Sequence, residues 1–324
     1  MMLMRRGLLA AALLSSLLAI PAAAQKYPDR PITFIVPWAA GGGADFASRL
    51  LAQALERELG IPVNVINRTG GNGVTGHFAI ASAAPDGYTI GMATSEIAYL
   101  KTTGLSDITP DTYDIISTVL TFPAGITVRS DAPYKTAADF LSAVKSNPKN
   151  TFTASGAGTG GSWHIAIAGL GKAAGVGADH VRWVPSQGGA PALQEVMAGG
   201  ITTFSGSPGE AKSLADGGRV RILALMADER SPAFPDVPTL KESGVNWTFT
   251  NWFALVAPKG LPAEVRARLV AAGGKAHATA EVQDPLKQRG FNPSWSGPDK
   301  AREFALGFAT SARDVLSDLG LAKQ

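Results

Sequence analysis

Thr33–Leu59, TFIVPWAAGGGADFASRLLAQALEREL, decides how this chain folds. Thr33–Val36 reads as a short buried strand, Pro37–Gly43 as a glycine-rich turn, and the remainder as an amphipathic helix. Phe46, Leu50, Leu51, Ala54 and Leu55 recur at helical spacing, and Gly60 with Pro62 supplies the stop. Gly41, Gly42 and Gly43 free the backbone to turn its N–H groups outward, and Asp45 is placed to cap the helix. Amide groups at the positive end of a helix make a ready anion site. One such turn is equally well an ordinary strand-to-helix connection. A second one further along changes that balance.

The same pattern continues outward. Val63–Asn67 reads as a second strand, Val74–Ala83 as a helix and Tyr88–Ala93 as a third strand ending in Thr94 and Ser95. Strands alternating with helices of this length imply βαβ units around a parallel sheet, so the fold class is α/β. Ser117–Arg129 is extended and broken by Pro123-Ala124-Gly125, a crossing point into a second domain. There Thr151–Ala154 forms a strand before SGAGTGGSW (Ser155–Trp163), with a helix beginning at His164. Val181–Val184 is a strand leading through Ser186, Gln187, Gly188 and Gly189 to a helix over Ala190–Ala198. Ile201–Phe204 and Val220–Met226 are further strands. Trp247–Ala257 is extended and returns the chain to the first domain, and the tail (Pro262–His277, Ala280–Arg289, Asp299–Leu319) is helical.

The amino terminus has the layout of an export signal. Arg5 and Arg6 are a basic start, Leu8–Ile20 an apolar run, and Ala22-Ala23-Ala24 a small-residue cleavage site. Residues 1–24 are therefore expected to be a leader of the general secretory type, with the mature protein starting near Gln25 outside the cytoplasm. The run is shorter than the roughly 20 residues needed to span a bilayer. Lys and Arg number 29 against 26 Asp and Glu. Without Arg5 and Arg6 the balance is near neutral, and no basic block interleaved with aromatics suggests nucleic acid. The absence of cysteine excludes disulfides, thiolate metal sites and a cysteine nucleophile.

Enzyme signatures fail in turn. Gly156, Gly158 and Gly161 satisfy G-x-G-x-x-G, but Asp179 precedes its strand, at the wrong end to meet a ribose. No phosphate-binding G-x-x-x-x-G-K-[ST] sequence occurs. Thr153 and Ser205 stand where a nucleophile elbow around Ser155 or Ser207 needs glycine. His77, His164, His180 and His277 lack metal-ligand spacing, so neither metal nor cofactor is expected. What remains is a pair of glycine-rich helix N-termini in two domains, with Thr159 and Ser162 adding hydroxyls to the second. Facing one another across a cleft, they would hold a carboxylate without lysine or arginine, and Trp38 and Trp163 could flank its organic part.

YPDRPITFIVPWAAGGGADFASRLLAQALERELGIPVNVINRTGGNGVTG, followed by APDGYTI, resembles the Bug family of extracytoplasmic solute receptors. These are the substrate-binding subunits of tripartite tricarboxylate transporters. The resemblance runs on through GAGTGGSWHIA, VPSQGGAPALQEVMAGG, GRVRILALMADERSPAFPDVPTLKESG and FALVAPKGLP, nearly the whole mature chain. It implies a type II-like periplasmic binding protein: two Rossmann-like α/β domains (residues 25–124 with 250–324, and 125–249) joined by two crossing strands. It also implies a monomer closing over a small carboxylate and passing it to membrane transporter subunits. The loops carried over are Pro37–Asp45 (Trp38, Ala39, Gly41, Gly42, Gly43, Asp45) and Ser155–His164 (Ser155, Gly158, Thr159, Gly160, Ser162, His164). Thr94, Ser95 and the segment Ser186–Gly189 (Gln187 and Gly188 above all) would line the remaining wall.

Two departures from the family pattern stand out, at three positions. Ser186 and Gln187 stand where many members have an aromatic and a basic residue, and Ser205 where many have an acid. An acid at Ser205 could pair with a ligand ammonium, so its absence turns the expectation from amino acids toward di- or tricarboxylates or aromatic acids. Two other functions share all or part of this pattern. A receptor presenting its ligand to a sensor kinase would share every feature above. An exported enzyme would need a nucleophile or an acid–base pair, and the loops offer only Asp45 and His164.

Overall fold

The computed structural model describes residues 27–323, so the leader expected over residues 1–24 lies outside the described residues. β1 (Ile32–Val36) is buried at four of its five positions, as an apolar run inside a parallel sheet must be. It leads into α1 (Gly43–Leu59), which buries Ala47, Leu51 and Leu55 along one stripe. Gly60, in the left-handed conformation (φ 71°), closes the helix by donating to Glu56 O. β2 (Val63–Asn67), α2 (Val74–Ala81), β3 (Thr89–Thr94) and β4 (Tyr113–Pro123) follow. β1 pairs in parallel with both β2 and β3.

The extended stretch expected over Ser117–Arg129 is divided at Ala124. β4 stays in the first sheet, and β5 (Gly125–Arg129) begins the second. Then come α3 (Ala137–Ser146), β6 (Thr153–Ser155), α4 (Ser162–Ala173), β7 (Arg182–Trp183), α5 (Gly189–Ala198), β8 (Thr203–Gly206), α6 (Pro208–Asp216) and β9 (Val220–Leu225). The strand expected over Val181–Val184 is only two residues long, because β7 is an edge strand whose recorded pairing is with β6 alone. β10 (Thr250–Pro258) returns to the first sheet, followed by α7 (Ala263–His277), α8 (Ala280–Gln288), β11 (Asn292–Pro293) and α9 (Pro298–Asp318).

The two sheets run β11-β4-β10-β3-β1-β2 and β7-β6-β8-β5-β9. Within them, β2-β1-β3-β10 and β7-β6-β8-β5 share one plan, two parallel pairings and then an antiparallel one. The protein thus has two α/β lobes built alike. Three backbone bonds lace the lobes together where the chain crosses. Ala124 N–H donates to Phe249 O (2.9 Å), Phe249 N–H to Met226 O (2.9 Å), and Met226 N–H to Ala124 O (2.8 Å). α9 lies over both lobes: Phe308 meets Tyr99, Phe249 and Trp252, and Asp318 pairs with Lys172 of α4.

Candidate functional site

The two glycine-rich loops are local copies of one structure. Gly41 (φ 84°) and Gly160 (φ 73°) adopt the left-handed conformation that side chains disfavour. Gly42 (φ −75°, ψ 173°) and Gly161 (φ −76°, ψ 170°) are the N-caps of α1 and α4. Gly42 N–H donates to Ala39 O, and Gly161 N–H to Gly158 O. The side chain in the third helical position then reaches back to the left-handed glycine. Asp45 Oδ2 accepts from Gly41 N–H and His164 Nδ1 from Gly160 N–H, both at 3.0 Å. Asp45 therefore binds the turn from inside the first helical turn; Gly42, not Asp45, is the N-cap.

The first helical amide of each loop is taken by a glutamate from the opposite lobe. Gly43 N–H donates to Glu210 Oε1 at 2.6 Å, Glu210 lying in the first turn of α6. Ser162 donates to Glu96 Oε1 through its N–H (3.3 Å) and its hydroxyl (2.9 Å), Glu96 lying in the short turn of helix, Ser95–Ala98, that follows β3. Both carboxylates sit where a helix terminus favours negative charge. Ser162 Oγ also meets Ser95 Oγ and Tyr99 Oη, each at 2.6 Å, and Ser95 bonds Asn251. Two reciprocal glutamates, with three hydrogen bonds between them, thus tie the lobes across the cleft.

Between them lies a cavity walled by Trp38, Trp163, Phe122 and Phe253, with main chain of Gly42–Ala44 and Gly188–Ala190 at its ends. Phe122 anchors the aromatic wall, its ring centroid 5.7 Å from Trp163 and 4.8 Å from Phe253. Trp38 Nε1–H donates to Thr94 Oγ1 (3.1 Å), and Thr94 in turn faces His77 Nε2, which fixes the indole. No lysine or arginine lines this space. Its volume is about 30 Å³, enough for one or two waters and too small for an organic acid.

Trp38, Ala39, Gly42, Gly43, Thr94 and Gly188 line the cavity. Gly41 and Asp45 face a different surface depression, where Asp45 pairs with Arg49. Ser95 and Ser162 lie in the buried hydroxyl cluster just described. Ser155 is buried at the end of β6, and Ser205 spends its hydroxyl on Trp163 O (3.1 Å). A Cβ added at Gly158 would fall 2.6 Å from Asn72 Oδ1, so this glycine accommodates Asn72 of the first lobe. Thr159 is exposed, Gly160 serves His164, and His164 stacks on Trp183 at 4.8 Å. Gln187 is exposed and does not line the cavity.

Burial sets the protonation states. His77 is fully buried, which lowers its pKa to about 3, and burial lowers that of His164 to about 4; both rings are neutral. Burial alone would raise the pKa of Asp45, but bonds from Arg49, Gly41 and Asn67 bring it below the ordinary value. For Glu210 burial prevails and pushes its pKa up, against the pull of Gly43 N–H and the Arg289 charge. Sequence reasoning passed over Glu96, Glu210, Asn251, Phe122 and Phe253. The one available signal was Glu96, a lone acid inside an otherwise uncharged run, Thr89–Leu100. Among the described residues no cluster of His, Asp and Glu could hold a metal ion, and no helix is long and apolar enough to cross a membrane.

A profile of the family described as "Tripartite tricarboxylate transporter family receptor" matches residues 47–321. A protein of Cupriavidus necator, "UPF0065 protein in gbd 5'region", is 31% identical over 98% of this chain and 97% of its own length. Among solved structures, the periplasmic binding protein BugD is similar with a TM-score of 0.85, at 27% identity over 92% of this chain and 100% of that one. MatC from Rhodopseudomonas palustris, solved with bound malate, gives 0.80 at 26% identity over 90% and 100%.

Proposed function

We propose, from the premise that this chain belongs to the tripartite tricarboxylate transporter receptor family, that it is a periplasmic receptor for a small organic carboxylate. It delivers that ligand to membrane transporter subunits and performs no covalent chemistry. The observation that carries this reading is the cavity between two lobes of like construction, lined by helix N-terminal main chain and four aromatic rings. Backbone amides and helix dipoles can hold a carboxylate without a basic side chain. The malate bound to MatC, a protein of the same architecture, supports the ligand class.

Delivery rests on closure. A guest touching both lobes binds the closed form better, so it shifts the population toward the shape that the transporter recognises. We place the hinge at the laced crossing of Ala124, Met226 and Phe249, and the two mobile units at residues 25–124 with 250–324 and 125–249. The test is a thermal-shift and calorimetric screen against mono-, di- and tricarboxylates. A true ligand raises the melting temperature in proportion to its occupancy. Gly42→Val, which places methyl groups beside Ala39 O and Glu210 Oε1, should abolish that rise while the protein stays folded. Undiminished affinity in the variant would refute the assignment of this cleft.

A further inference from the structure

Glu210 Oε1 accepts from Gly43 N–H, but Glu210 Oε2 is shut off from solvent and has no hydrogen-bond donor among the described residues. The carboxylate borders the cavity between the N-termini of α1 and α5. It fits there because position 189 is glycine; a Cβ would fall 2.2 Å from Oε2. The N-cap N–H of Ser207 pulls on this carboxylate without closing a hydrogen bond to Oε2, and the charged groups around it do not supply the missing donor. Arg289, whose charge it feels, lies with its guanidinium 3.7 Å over the Phe46 ring, and Lys212 on the same helix pairs with Asp216. Across the cavity, Glu96 is an acid already engaged with Ser162.

An ionised carboxylate with one oxygen buried and unbonded is costly, and an arriving O–H or N–H relieves that cost. A bare carboxylate or methylene arriving there does not. A second anion beside Glu210 requires a proton to be taken up with the ligand. We propose that Glu210 is a specificity-determining residue of the cleft, selecting acids that carry a hydroxyl or ammonium donor within reach of Oε2 over otherwise identical acids without one. This rests on the carboxylate-receptor reading and names the ligand subclass. It reverses the expectation drawn from Ser205: the acid absent at that position is supplied from α6. Discrimination follows because a site built around a polar contact strongly rejects the analogue lacking it.

The test is calorimetry on matched trios in buffers of differing ionisation heat. The probes are succinate, malate and aspartate; glutarate, 2-hydroxyglutarate and glutamate; and phenylacetate, mandelate and phenylglycine, each chiral acid in both hands. For the trio that fits, the wild-type protein should bind a donor-bearing member at least about tenfold tighter than the bare acid. Binding of the bare acid should take up a proton. In Glu210→Gln the preference should collapse and the proton uptake disappear. Malate against aspartate decides whether the donor is hydroxyl or ammonium, and the wild-type ranking stands even if the variant does not fold. A bare acid bound as tightly as its hydroxy and amino counterparts, without proton uptake, would overturn the proposal. Binding of none of the nine would overturn this inference, whereas the carboxylate reading itself falls only if the full mono-, di- and tricarboxylate screen is also empty.

Discussion

Replacing His77 by glutamine should remove most of one proton's worth of acid sensitivity from folding. His77 is fully buried, its Nε2 3.2 Å from Thr94 N and 3.3 Å from Thr94 Oγ1, and its carbonyl accepts from Tyr113 Oη. Burial holds its pKa at about 3 in the native state, whereas in the unfolded chain it titrates near about 6.5. Between those values the unfolded state binds one more proton than the native state, so stability falls as the pH drops below about 6.5. The loss levels off only near pH 3, where the native ring also takes its proton. Each pH unit in that window is worth about 1.4 kcal/mol, so moving from neutrality to pH 5 costs about 2 kcal/mol through this ring alone. His164 adds a loss of the same sign, which is why the measurement is a difference. Urea denaturation followed by circular dichroism at pH 7.5 and 5, on wild type and His77→Gln, should show the wild type losing about 2 kcal/mol more than the variant. Parallel losses, or a His77 ring that titrates near its ordinary value by NMR, would refute the assignment.

Thr94→Val leaves the Trp38 indole N–H without its acceptor; it should lower stability by about 1–3 kcal/mol and weaken ligand binding, read by melting temperature and calorimetry. Leu51→Ala, at a fully buried position of α1, should cost about 2–5 kcal/mol in chemical denaturation without altering the ligand ranking. Gly76→Ala places a Cβ 2.4 Å from Pro37 Cα and 2.5 Å from Arg68 O; because this is backbone that cannot step aside, both stability and affinity should fall together. By contrast, Arg57→Ala breaks an exposed pair with Glu281 and should change stability by no more than about 1 kcal/mol.

The first lobe was legible because its signals are local. Periodicity, a glycine turn and a stop at Gly60 specify β1 and α1 within one stretch of chain. The crossing at Pro123-Ala124-Gly125 was readable for the same reason: proline has no N–H to donate to a ladder, and it falls here at the last residue of β4, with Gly125 opening β5. The glycine loops were identified as helix N-termini, which they are, but which atoms face the cavity was not legible. Gly41 and Gly160 spend their amides on Asp45 and His164, four residues away, a local capping choice hidden behind the apparent anion site. The glutamates were beyond reach for a different reason. Gly43 and Glu210 are 167 residues apart, and Glu210 in the sequence SPGEAK looks like an ordinary first-turn acid facing water. Only the packing of one lobe on the other turns it inward. β7 was overestimated because four apolar or polar residues in an extended run do not reveal that the strand lies at an edge.

Pro123 and Thr250 stand directly opposite one another in the register of β4 and β10. Everything from Ala124 to Phe249 therefore departs and re-enters at a single rung, as a cassette would when spliced into the loop of a two-strand ribbon. Segments whose ends adjoin can be inserted, exchanged or excised without stretching their host. A two-residue Asn-Gly turn in place of residues 124–249 would close β4 onto β10 as a plain hairpin. The same topology permits grafting one receptor's cassette onto another's host, a route to chimaeras that would show which half of the molecule chooses the guest.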